Sequence, residues 1–104
     1  MREVYRPDNW VLVRIPNSEG SFYKVLAGWS GGYLDGNSWR LNSGVTRLEE
    51  TYDCYYFFGQ SGSEYQCRKA GEEVRENILH VLKALEDRGC ERVLTKGVKW
   101  ELIR

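Results

Sequence analysis

Trp10-Val11-Leu12-Val13-Arg14-Ile15 and, a few residues on, Ser21-Phe22-Tyr23-Lys24-Val25-Leu26-Ala27-Gly28-Trp29 decide how this chain folds. The first run is rich in β-branched and aromatic residues and is stopped by Pro16-Asn17. Alternation puts Val11, Val13 and Ile15 on one face. In the second run Tyr23, Val25, Ala27 and Trp29 share one side, and Phe22, Lys24 and Leu26 share the other. Asn17-Ser18-Glu19-Gly20 lies between them with turn chemistry, so the two runs are expected to form an antiparallel hairpin.

Downstream of this hairpin the composition changes. Residues 28–46 carry only Asp35 and Arg40 as charges, while Gly, Ser and Asn gather around Trp29, Tyr33 and Trp39. Asp35-Gly36 is a strong two-residue turn signal, because a type I′ turn needs positive φ at both centres. Residues 38–42 read as a short strand with Trp39 and Leu41 inward, and Asn42-Ser43-Gly44 as a further turn. Tyr52-Asp53-Cys54-Tyr55-Tyr56-Phe57-Phe58 is bulky on both faces, which predicts a central strand covered on both sides. After the turn at residues 59–63, a strand over residues 64–68 is expected to pair antiparallel with it.

A helix is expected over residues 72–88. Val74, Ile78, Val81, Leu82 and Leu85 fall on one stripe at the 3.6-residue period. Glu72 and Glu73 suit the first turn, Arg88 the last, and Gly89 the C′ position. The opposite face holds Glu73, Glu76, His80, Lys83 and Asp87. Residues 92–95 and the alternating Val98, Trp100 and Leu102 predict a last strand pair. The expected fold is α+β: a curled, half-barrel-like antiparallel sheet of about 5–7 strands packed against one amphipathic helix in the C-terminal half. With 104 residues and no linker or repeat, one domain over residues 1–104 is expected.

Fifteen basic and fifteen acidic residues cancel, and no Lys/Arg run occurs, which disfavours nucleic acid as a partner. Apolar runs of a few residues fall far short of the roughly 20 needed to span a bilayer, so no membrane association is expected. Three cysteines without secretory context suggest reduced thiols and a cytoplasmic location. The neutral charge and abundant aromatics allow a homodimer.

Groups suited to catalysis are sparse. His80 is the sole histidine and falls on the polar helix face, where a surface role is expected. Cys54, Cys67 and Cys90 lack the close pairing of structural zinc sites, so free thiols are expected and no metal or cofactor is assigned. The adjacent acids Glu49-Glu50 and Glu72-Glu73 do not give the facing carboxylates of hydrolases. The candidate ligand or partner site is therefore in residues 28–46: Trp29, Tyr33 and Trp39 as stacking surfaces, Arg40 as a planar cation, and Asp35, Asn37, Asn42 and Ser43 as hydrogen-bonding groups.

Residues 28–34 (Gly-Trp-Ser-Gly-Gly-Tyr-Leu), 38–44 (Ser-Trp-Arg-Leu-Asn-Ser-Gly) and 61–67 (Ser-Gly-Ser-Glu-Tyr-Gln-Cys) resemble small uncharacterised proteins of tailed phages and prophages. That resemblance implies an accessory protein of the bacterial cytoplasm and carries over no catalytic residue. The expected function is non-enzymatic binding of a partner protein or a small polar ligand through the Gly/aromatic loops. The alternatives are an enzyme acting on a nucleotide or nucleic acid, in which Arg40 would converge with Asp35, Asp53 or His80, and a structural subunit of a larger assembly.

Overall fold

The computed structural model describes residues 2–18, 20–32 and 36–98. Its strands are β1 (Val4–Tyr5), β2 (Asn9–Asn17), β3 (Gly20–Gly32), β4 (Gly36–Leu41), β5 (Val45–Glu50), β6 (Cys54–Gly59), β7 (Glu64–Arg68) and β8 (Glu91–Val93). The helix α1 (Glu76–Asp87) lies between β7 and β8, with short 3-10 turns at Lys69–Gly71 and Thr95–Gly97. The chain is thus α+β and mostly strand. No helix among the described residues is long and apolar enough to cross a membrane.

The expected hairpin is the centre of the molecule. β2 and β3 pair antiparallel without a break from Asn9 opposite Gly28 to Asn17 opposite Gly20. In place of one curled sheet there are two open four-stranded sheets, ordered β1-β7-β6-β5 and β4-β3-β2-β8. The pairing of β1 with β7 is parallel, so the antiparallel expectation fails at that edge. The physical reason is the apolar content of β2 and β3. Trp10, Val11, Leu12 and Val13 are all 0% exposed, and a sheet apolar on both faces needs a layer on each.

One face buries Trp10, Leu12, Val25 and Ala27 against Tyr55, Phe57, Tyr65 and Cys67 of the second sheet. Trp10 meets Tyr55 and Phe57 edge-on, with ring centroids 5.9 and 5.4 Å away, and its indole N–H donates to the Arg68 carbonyl at 2.8 Å. The other face buries Val11, Val13 and Leu26 against Ile78 and Leu82, with Val74, Val81 and Leu85 packed around them. The helical stripe read from the sequence is therefore the surface that covers the central hairpin. The strand expected at residues 52–58 begins at Cys54, and its outer residues Cys54, Tyr56 and Phe58 are only half-buried. Arg2 and Arg47 lie over the Phe58 ring, 5.1 and 4.0 Å from its centroid, where a covering layer was expected.

The helix starts at Glu76, four residues later than expected, because residues 72 and 73 are engaged elsewhere. Glu73 N–H donates to the Trp10 carbonyl at 3.0 Å. Glu72 Oε2 accepts both the N–H and the hydroxyl of Thr95 at 2.9 Å. Arg88 is the C-cap residue, and Gly89, at φ +91°, follows it as expected. Cys90 N–H donates to Leu85 O and Gly89 N–H to Glu86 O, both at 3.0 Å, a Schellman ending. Only Glu91–Val93 of the expected final strands is seen, paired with β2; a 3-10 turn follows, and Trp100 and Leu102 lie outside the described residues.

A buried amide pair locks the start of the helix to the hairpin. Asn77 Nδ2 donates to Asn9 Oδ1 at 2.7 Å, and Asn9 Nδ2 returns a bond to Asn77 Oδ1 at 3.0 Å. A Cβ on Gly28 would lie 2.7 Å from the Asn77 amide, so glycine is what lets the helix approach. Asn77→Leu is expected to lower the unfolding free energy by about 1–3 kcal/mol by leaving Asn9 Oδ1 without its donor. In urea titrations the Asn9→Leu/Asn77→Leu double variant should lose less than the sum of the two single losses.

Candidate functional site

Strand β4 divides the residues singled out from the sequence. It pairs with β3 so that Trp39 lies opposite Gly28, Arg40 opposite Ala27 and Leu41 opposite Leu26. Alternation sends Trp39 and Leu41 toward the helix and Arg40 toward the other sheet. Leu41 packs on the helix-side core as expected. Trp39 does not point inward. It is 47% exposed and borders an apolar groove of about 300 Å³ with His80, Val81, Leu85 and Arg88. Trp29 is half-buried against the inter-sheet core, donates its indole N–H to the Arg6 carbonyl at 3.0 Å, and meets Tyr5 edge-on. Tyr33 and Asp35 lie outside the described residues, as does the side chain of Asn37 and with it the expected turn at Asp35-Gly36.

Arg40, Asn42 and Ser43 come together. Beyond the end of β4, Asn42 extends the pairing with β3: its N–H donates to Val25 O at 3.0 Å, and its Oδ1 accepts Val25 N–H at 2.8 Å. That second bond fixes the amide orientation, since an N–H must face an acceptor. Ser43 Oγ accepts the Ser61 N–H at 3.0 Å and donates to the Ser61 hydroxyl at 3.1 Å, while Ser61 and Ser63 hydroxyls are 3.4 Å apart. Gly44, at φ +132°, accepts the Gln60 N–H at 2.9 Å, so the turn after β4 is tied to the turn between β6 and β7. A Cβ on Gly59 would lie 3.0 and 3.1 Å from the Ser43 and Ser63 hydroxyls and 3.3 Å from Asn42 Nδ2. Glycine there keeps the polar cluster open.

The result is a polar pocket of about 240 Å³ between the two sheets, lined by Glu3, Tyr5, Lys24, Arg40, Asn42 and the three serines. Arg40 lies with its guanidinium 4.6 Å from the Tyr5 ring centroid. The Tyr5 hydroxyl donates to Glu3 Oε2 at 2.8 Å, and that bond is the first reason its pKa is raised. Tyr65, 2% exposed at the pocket's inner wall, is pushed up to about 12 by burial, with Arg40 pulling the other way. Asn42 is 2% exposed, and its Nδ2 has no hydrogen-bond partner among the described residues.

Glu3, Tyr5, Lys24, Ser61, Ser63 and Tyr65 were not among the expected site residues. The serines read as turn chemistry, and Glu3 and Tyr5 arrive through the long-range pairing of Val4 with Glu64 and Tyr5 with Tyr65. The convergence expected of an enzyme is not found among the described residues. His80 borders the groove on the helix side, and Asp53 bonds Thr51 at the β5–β6 turn. All three cysteines are free thiols, and burial raises the Cys67 pKa well above its usual value.

The Tyr65 shift has a consequence for alkaline stability. The fold favours the neutral phenol, so its contribution is whole below pH 10 and is lost as pH rises from 10 toward about 12. Tyr65→Phe should flatten the fall in melting temperature over that window, and tyrosinate absorbance should show one late-titrating tyrosine missing. Unaltered curves would rule the assignment out.

Comparison with protein-family models, with curated proteins and with solved structures gave no match, so the site stands on its own geometry.

Proposed function

We propose that this protein is a small binding module, without an enzymatic activity of its own, that holds a small polar ligand in the pocket between Arg40 and the serine cluster. The observation that carries this reading is Asn42. A buried amide N–H₂ left without a partner costs about 1–3 kcal/mol, so such groups are rare unless something meets them. Here the group belongs to a side chain that lines a pocket rich in hydroxyls and bordered by a cation. The resemblance to phage and prophage accessory proteins fits a role in binding within a bacterial host's cytoplasm.

A partner protein is the second reading, favoured by one separate observation. Trp39 exposes 47% of its surface beside the apolar groove along α1, and exposed tryptophan is characteristic of interface hot spots.

A thermal-shift panel of nucleotides, cyclic oligonucleotides, small acids and simple sugars separates the two readings. A ligand at one hundred times its Kd should stabilise the fold by about 2.7 kcal/mol, or several degrees. The shift should vanish in Ser61→Leu, which fills the pocket from an exposed position, and persist in Trp39→Ala. A flat panel sinks the small-ligand reading.

A further inference from the structure

We infer that the pocket takes an oxyanion, the carboxylate or phosphate group of a compact ligand, with Arg40 and the Asn42 amide as its donors and Lys24 as a second cation in the lining. This rests on the small-ligand reading above and narrows it to one chemistry.

The pocket has hydrogen-bond donors to offer, and three of its acceptors are engaged: Asn42 Oδ1 by Val25 N–H at 2.8 Å, Ser43 Oγ by Ser61 N–H at 3.0 Å, and Glu3 Oε2 by the Tyr5 hydroxyl at 2.8 Å. Asn42 Nδ2 has no partner, and Arg40 forms no ion pair with a carboxylate among the described residues. Arg40 gives one bond to the Tyr65 hydroxyl, and its position over the Tyr5 ring leaves the other N–H groups at its edge to match the paired oxygens of carboxylate or phosphate. A neutral sugar can accept from Arg40 through its hydroxyl oxygens but brings no charge to offset the two cations.

Size and charge restrict the ligand further. The pocket's volume of about 240 Å³ is below the roughly 300–1,000 Å³ of drug-sized sites, which suits a compact acid. The Glu3 carboxylate in the lining opposes negative charge while Arg40 and Lys24 favour it, so removal of Glu3 should tighten binding.

The test is a calorimetric and thermal-shift titration of the full chain with sodium phosphate, sodium succinate and glucose at matched ionic strength. A saturable response to at least one anion is expected, weakened roughly tenfold or more by Arg40→Gln, as loss of a charge-assisted bond implies. Glu3→Gln should strengthen it. Asn42→Asp keeps the acceptor for Val25 and replaces the free donor with a charge, so it should abolish the response. Arg40 and Glu3 are exposed, so those two variants decide the matter even if Asn42→Asp fails to fold. A response to phosphate alone assigns a phosphate group, and one to succinate alone a carboxylate. An anion effect indifferent to Arg40→Gln is a bulk salt effect and overturns the inference. Stabilisation by glucose that Ser61→Leu removes, with neither anion active, overturns the anion and leaves the small-ligand reading standing. Silence across all three probes, and across the wider panel, overturns both.

Discussion

The architecture depends on a hairpin that is apolar on both faces. Trp10 to Val13 are fully buried as a continuous run, a pattern that in a small antiparallel sheet cannot be satisfied by one covering layer. The aromatic sheet takes one face and the helix the other, so both depend on β2 and β3 for their burial. Fully burying a large apolar side chain contributes on the order of 1.5–3 kcal/mol, and four consecutive residues do so in β2 alone. Edge strands β1, β4, β5 and β8 are attached to this arrangement without being needed to define it.

Much of this was legible in the sequence because it is local. Alternation gave the faces of β2 and β3, the 3.6-residue stripe gave the buried side of α1, and Gly89 marked its end. What stayed hidden was set by distance along the chain. Glu72 and Glu73 look like a helix first turn, yet Thr95 and Trp10 offer them longer-range partners and the helix gives way. Tyr52 to Phe58 reads as doubly covered because its outer rings are large, and among the described residues arginine side chains cover part of that surface in place of a further layer. The number of sheets follows from which apolar face meets which, and periodicity within a strand carries no such information.

The candidate site shows the same division. Arg40, Asn42 and Ser43 were visible because a lone cation and turn-forming polar residues gather around large aromatics in a segment otherwise nearly free of charge. Trp39 and Arg40 are neighbours in sequence and were grouped for that reason. Alternation on β4 sends them to opposite faces of the sheet, so they cannot serve one small ligand together. The partners that Arg40 does meet, Tyr5 and Tyr65, come from strands paired in parallel across some sixty positions. No local pattern announces that pairing.

The choice of residue at position 42 bears on what the pocket is for. The structural task there is to present one acceptor to the Val25 N–H while ending β4, and Asp, Ser or Thr carries a suitable oxygen. Asn brings, in addition, an N–H₂ that meets no partner among the described residues. Asp would satisfy Val25 equally and would place a second negative charge near Glu3, in a pocket whose one bordering guanidinium lies over Tyr5. Gly59 keeps backbone clear of the same amide, where any Cβ would crowd Nδ2 and two serine hydroxyls. Two residues on different turns thus preserve a buried donor that packing alone would have filled, and preserving it makes physical sense where an acceptor is to be bound.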